Sequence, residues 1–318
     1  MITNIILVLI GFYLLIRGAD FFVDAISSTA VNLKIPKIII SLSIVAFGTS
    51  APELFISFQG LLNGNDDVVL ANVVGSTIVN TMLVIGIAAI IRPIRIKSET
   101  IKKQLPLHFL IIAIFAILLL DNTFNKTVNT ISRNDGIILF LIFLNFIYYI
   151  FNYYKKHHNL KESIKDSPKW SLPKSIIISI LGLIAISIGS NLAVDNCVEI
   201  ARQLNISEKL ITMVILVIGT STPELVMAIT SAKKGEFDII VGNIIGTNIF
   251  NIGFVLGLPV MILGSVTTTS FNIIDMLIMI TSGIILYTFA KDDRKLTRIE
   301  GIIMVGIFIS YYTYLFIT

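Results

Sequence analysis

The chain has 318 residues, 55% of them hydrophobic and 14% charged, with a mean hydropathy of +0.90 and a formal net charge of +4. Soluble domains carry about 25% charged residues, so the composition excludes an ordinary soluble domain and points to a polytopic membrane protein. The small positive balance is no sign of a nucleic-acid partner, because the basic residues fall in short loops beside apolar stretches; the single cysteine, Cys197, excludes an internal disulfide and reads as a small apolar helix residue.

Apolar runs near the length that spans a bilayer predict ten helices, over 3–30, 38–62, 68–91, 105–120, 134–153, 175–203, 209–232, 237–263, 272–290 and 299–317. The first has no basic residue before it and no small-residue cleavage pattern, so it reads as a retained helix rather than a signal peptide. The longest hydrophilic connector runs from Tyr154 to Lys174 and contains His157 and His158. With no acidic or cysteine partner at ligand spacing, that pair reads as part of a solvated loop. The expected organisation is therefore a first five-helix unit over 1–153, a cytoplasmic connecting loop over 154–174 and a second five-helix unit over 175–318.

Basic residues alternate from loop to loop. Nineteen of the 24 Lys and Arg residues fall in alternate connections, such as Arg92 to Lys103, Lys155 to Lys174 and Lys291 to Arg298. The other connections hold only Lys126, Arg133, Arg202 and Lys209. The positive-inside rule places the rich set in the cytoplasm and both termini outside the cell membrane.

The chain also repeats itself. A shift of 171 superimposes Gly18 on Gly189, Asp24 on Asp195, Gly48 on Gly219, Glu53 on Glu224, Asn72 on Asn243, Gly75 on Gly246, Asn80 on Asn251 and Gly86 on Gly257. A shift of 165 aligns Arg133-x-Asp135-Gly136 with Arg298-x-Glu300-Gly301. An odd number of spans per unit makes the second unit enter from the opposite side. The expectation is an all-α membrane protein of two inverted-topology five-helix repeats, an architecture of secondary transporters that bind at the midplane between the repeats.

The best-matched segments are polar. Gly48-Thr49-Ser50-Ala51-Pro52-Glu53 recurs as Gly219-Thr220-Ser221-Thr222-Pro223-Glu224, each inside an apolar stretch. Proline within a helix removes one N–H and clashes with the carbonyl four residues back, so Pro52 and Pro223 are expected to free the carbonyls of Gly48 and Gly219. A mid-membrane carboxylate costs at least ~2.5 kcal/mol on insertion scales and marks function by default. Pairing with a base is the structural alternative, and Arg17 is the one Lys or Arg well inside a span. Twenty-seven residues after each glutamate comes an asparagine, within Gly75-Ser76-Thr77-Ile78-Val79-Asn80 and Gly246-Thr247-Asn248-Ile249-Phe250-Asn251. Ser76 with Asn80, and Thr247 with Asn251, share a helix face.

The candidate ligands are thus all oxygen: the carboxylates of Glu53 and Glu224, the hydroxyls of Thr49, Ser50, Thr220, Ser221, Ser76 and Thr247, and the amides of Asn80 and Asn251. Hard cations such as Ca²⁺ take six to eight such oxygens, while zinc and copper favour sulfur and imidazole. Two ionised glutamates balance one Ca²⁺ or two Na⁺, or take protons, which is the arithmetic of an antiporter.

These residues closely resemble the sodium/calcium exchangers of the calcium/cation antiporter superfamily, of the compact prokaryotic and archaeal type, over essentially the whole chain. The resemblance implies that the second, third, seventh and eighth helices enclose the ions and that the glutamates bind Ca²⁺ and Na⁺ competitively. It also implies that the backbone carbonyls of Ala46 and Val217 help, and that the long first and sixth helices slide to switch access. Asp24 and Asp195 are assigned no ion. Some archaeal relatives carry aspartate at the position of Asn251; two neutral amides here keep the carboxylate count at two and argue against a potassium-requiring mode.

The reading is an electrogenic exchanger extruding Ca²⁺ on inward Na⁺, with Ca²⁺/H⁺ antiport in the same fold as the alternative. A channel is disfavoured by the paired pocket. No His-Glu-x-x-His and no phosphate-binding Gly-x-x-x-x-Gly-Lys occurs, so neither an enzyme nor an ATP-driven pump is expected, and neither is a cofactor. The partners expected are the two cations and the lipid bilayer, with no obligatory protein partner.

Overall fold

The computed structural model describes residues 1–124, 129–158, 167–204, 217–268 and 273–317. The chain is almost wholly helical. In order come α1 (Ile2–Leu33), α2 (Lys37–Thr49), α3 (Ala51–Leu62), α4 (Asp66–Ile91), α5 (Thr100–Leu120), α6 (Arg133–His158), α7 (Leu172–Gln203), α8 (Val217–Thr220), α9 (Thr222–Lys234), α10 (Phe237–Leu263), α11 (Ile273–Lys291) and α12 (Arg298–Ile317). Seven of these, α1, α4, α5, α6, α7, α10 and α11, are long and apolar enough to cross a membrane, or eight crossings if α2 and α3, bent by 44°, make one. The protein is a multi-pass membrane protein.

Among the described residues the helices fall on the expected apolar stretches, except that 38–62 is broken at Ser50 and 209–232 at Ser221, and local chemistry sets their ends. α1 stops at Lys34 in the left-handed conformation, with the Ile35 amide returning to Ala30 O at 2.9 Å, and Pro36 follows. α9 stops the same way at Gly235, where φ is +76° and the Glu236 amide reaches Ser231 O at 2.9 Å. The starts of α6 and α12 are capping boxes. Ser132 and Asp135 bond reciprocally at 2.8 and 3.3 Å, and Thr297 and Glu300 do so at 2.6 and 3.3 Å. Helix claims both ends of the expected connector, through His158 and again from Leu172. His157 and His158 thus fall on α6; their side chains, and Lys126, Lys161, Lys165, Lys209 and the expected helical stretch 209–216, lie outside the described residues.

Burial sorts the helices into a centre and a flank. In α10, 94% of the most apolar window is buried, against 28% in α1 and α7, so α10 is central and the long pair peripheral. α1 and α7 run against each other through facing glycines: a Cβ on Gly11 falls 2.7 Å from Gly189 O, and one on Gly18 falls 3.1 Å from Gly182 O. Their outer faces carry Ile5, Leu9, Phe12 and Ile16, and Ile177, Leu181, Ile184 and Ile188, all exposed, a surface suited to lipid.

The two portions of the chain interlock. α6 packs on α10 through Gly136 and Gly257, and α12 packs on α4 through Gly301 and Gly86. Two short antiparallel ribbons cross between them: β1 (Ile94–Arg95) pairs with β4 (Lys295–Leu296), and β2 (Asn129–Ile131) pairs with β3 (Val266–Thr268). Near the end of α1, Asp24 pairs with Lys169 and Lys234, each at 2.7 Å. Lys37 pairs with Glu236 at 2.8 Å. Asp195 is exposed on α7.

Candidate cation site

Each repeated phrase makes a break between two helices. Ser50 (φ −83°, ψ 0°) separates α2 from α3, and Ser221 (φ −88°, ψ 7°) separates α8 from α9. Pro52 and Pro223 sit in the first turn of the segment that follows, where a missing N–H costs no intrahelical bond. Proline here starts a helix instead of kinking an unbroken one. That arrangement puts Glu53 and Glu224 in the first turns of α3 and α9, the end at which the helix dipole favours negative charge.

Pro223 has no N–H to offer the Gly219 carbonyl, and Ser190 of α7 takes that oxygen up instead, donating its hydroxyl to Gly219 O at 3.3 Å. Ala46 O accepts both the Ser50 amide, at 3.0 Å, and the Thr49 hydroxyl, at 3.3 Å. Val217 is the first described residue of α8, and its side chain lies outside the described residues.

The remaining donors come from α4 and α10, each widened by one π-helical turn, over Val79–Val84 and Asn251–Leu256. Such turns recur at functional sites, and these begin at or beside Asn80 and Asn251. Small residues bring α10 onto α2: a Cβ on Gly242 falls 2.7 Å from Ser41 Cβ, and one on Gly246 falls 2.7 Å from Ala46 Cβ. The close crossing sets the Thr49 and Thr247 hydroxyls 3.4 Å apart.

Glu53 and Glu224 are 1% and 0% exposed, and none of their four carboxylate oxygens has a hydrogen-bond partner among the described residues. They lie near enough to repel each other electrostatically. The Thr49 hydroxyl stands beside Glu224 without an aligned hydrogen bond. The hydroxyls of Ser50, Ser76 and Ser221, the Oδ1 of Asn80 and both ends of the Asn251 amide are also buried and unpartnered; Thr220 is half-buried. Arg17 lies elsewhere, half-exposed on α1 beside Asp20 and over the Phe21 ring. Among the described residues no three His, Cys, Asp or Glu side chains come together, so two carboxylates are the acidic complement, completed by hydroxyls and amides. A buried unpaired carboxylate costs several kcal/mol; two of them amid unused oxygens suit a hard cation.

Sequence reasoning missed the support behind these groups. Asn72 donates to the main-chain oxygen of Glu53 at 3.2 Å. Asn248 joins Asn80, Thr81 and His108 in one buried network. Asn72 and Asn248 stood inside matched segments, but His108 carried no signal beyond being polar in an apolar run.

Residues 3–152 and 174–317 match the sodium/calcium exchanger protein family. The putative antiporter CaxA of Alkalimonas amylolytica is 35% identical over 99% of both chains. The sodium/calcium exchanger MaX1 of Methanosarcina acetivorans is 27% identical, again over 99% of both. Among solved structures, the sodium-calcium exchanger NCX_Mj superimposes with a TM-score of 0.83 at 29% identity, covering 97% of each chain.

Proposed function

The chain belongs to the sodium/calcium exchanger protein family, and from that premise we propose that it exchanges Ca²⁺ for Na⁺ across the cell membrane through one pocket built around Glu53 and Glu224. The observation that carries the proposal is the pair itself: two buried carboxylates in electrostatic reach of each other, with no hydrogen-bond partner for any of their oxygens among the described residues.

The pocket holds the ions with the carboxylates and with Thr49, Ser50, Ser76, Thr220, Ser221 and Thr247, assisted by Asn80, Asn251 and the carbonyls of Ala46 and Val217. Its two negative charges balance one Ca²⁺ or two Na⁺. Emptied, it leaves both charges unpaired in a medium that penalises each by several kcal/mol. The pocket therefore changes sides loaded and resists doing so empty, and that coupling is antiport. The cargo ions are the only small ligands the account requires.

The architecture proposed is ten spans in two inverted repeats, over 1–153 and 175–318, joined through 154–174, with both termini outside. Three features support it. Ser50 and Ser221 share one backbone conformation. The π turns of α4 and α10 lie at matching places. The ribbons and the α6–α10 and α12–α4 contacts each exchange one element between the halves, as a two-fold relation requires. The glycine-lined contact of α1 with α7, smooth on its inner side and apolar on its outer side, suits a pair that slides against the core to switch access.

The test is ⁴⁵Ca²⁺ uptake into proteoliposomes. An outward Na⁺ gradient is expected to drive accumulation and an outward proton gradient to leave it at background. Uptake driven by protons alone moves the assignment to Ca²⁺/H⁺ antiport, and uptake without any counter-ion contradicts exchange.

A further inference from the structure

We propose that His108, on α5, is a positioning residue that fixes which end of the Asn80 amide faces the cations. The inference rests on Asn80 being an ion ligand. An asparagine amide has two ends of nearly equal shape, and only the oxygen binds a cation; the NH₂ end repels it. Something outside the pocket has to choose between them.

The choice runs through Asn248. Asn80 Nδ2 donates to Asn248 Oδ1 at 3.2 Å, which leaves Asn80 Oδ1 buried, unpartnered and available to the pocket. With its oxygen so engaged, Asn248 turns its Nδ2 towards Thr81 Oγ1 and His108 Nε2, both at 2.9 Å. The Thr81 hydroxyl donates or accepts equally well and cannot decide the direction. His108 Nε2 can: as a bare nitrogen it only accepts, so the imidazole proton belongs on Nδ1. That nitrogen has no hydrogen-bond partner, and the buried Gln104, one turn back on the same helix face, holds an unused acceptor in Oε1. The reverse arrangement, with the proton on Nε2, turns both amides over and aims the Asn80 NH₂ at the cations.

Among the described residues the second half shows no such control. Asn251 is 0% exposed, and both ends of its amide are unpartnered. At the place matching Asn248 stands Thr77, whose hydroxyl is spent on Val73 O at 2.8 Å. The positioning device is therefore specific to Asn80 and makes the two amides unequal.

The test is the Ca²⁺ dependence of Na⁺-driven ⁴⁵Ca²⁺ uptake in proteoliposomes for four proteins. His108→Leu removes the acceptor and is expected to raise the half-saturating Ca²⁺ concentration about fivefold, the worth of one oriented hydrogen bond, with little change in maximal rate. His108→Gln carries an acceptor oxygen to the place of Nε2 and is expected to match wild type. Where His108→Leu does not assemble, His108→Met is read by the same criterion. Asn80→Ala separates the two layers of the argument. If it leaves half-saturation unchanged, the ligand role of Asn80 fails. If it raises half-saturation while His108→Leu does not, only the role of His108 fails. A His108→Gln variant as impaired as His108→Leu also overturns the proposal, because a packing role alone predicts no rescue.

Discussion

The hydroxyl of Thr49 lies 3.4 Å from that of Thr247, one from each matched segment, where α2 crosses α10. The contact joins hydroxyls from the two halves of the chain, and Thr49 stands beside Glu224. Each is an oxygen a cation can use once the hydroxyls turn from each other. Thr49→Val and Thr247→Val keep the shape and remove one oxygen each. Either change is expected to raise the half-saturating Ca²⁺ concentration about fivefold to tenfold, or ~1 kcal/mol. The double variant should cost less than the product, because the residues touch. Dose-dependence of uptake in vesicles checks both points.

Gly11 and Gly189 share the tightest approach of α1 to α7, with a Cβ on either falling 2.7 Å from the other's carbonyl oxygen. Gly189→Val is expected to push the helices apart and destabilise the fold by about 1–3 kcal/mol. If the pair slides during exchange, maximal rate falls while half-saturating Ca²⁺ stays near wild type. Thermal melting in detergent and uptake kinetics read the two effects separately.

Much of this layout was legible in the residues. Apolar runs placed the helices, because one face or both must meet lipid or core. The doubled phrases pointed to Glu53 and Glu224, because a carboxylate in an apolar run has no bland explanation once Arg17 is ruled out. What stayed hidden depends on distant neighbours. The π turns at Val79–Val84 and Asn251–Leu256 carry no signature in the periodicity of their residues. Proline alone did not reveal whether the chain would kink at Gly48 or break at Ser50, since the outcome depends on whether a new helix starts there. The Ser190 bond to Gly219 O joins residues 29 apart in sequence, and the Asn248 contact with His108 joins residues 140 apart. No spacing rule reaches that far.

Asn251 offers a test of charge counting. It is fully buried and its amide is unpartnered at both ends among the described residues, so Asn251→Asp adds a third carboxylate. Two unit charges 4 Å apart attract by about 4 kcal/mol at an effective dielectric of 20, and desolvation removes part of that gain. Na⁺ is expected to inhibit ⁴⁵Ca²⁺ uptake in this variant at about tenfold lower concentration than in wild type. Unchanged Na⁺ inhibition would place Asn251 outside the ion pocket.

The most direct measurement is calorimetric titration of Ca²⁺ into the purified, Na⁺-free protein and into Glu53→Gln and Glu224→Gln. A shared pocket predicts one Ca²⁺ per wild-type chain, displaced by Na⁺, and no measurable binding in either folded single variant. Two Ca²⁺ per chain, or a single variant that keeps wild-type affinity, would show that the glutamates serve separate sites and would contradict the account.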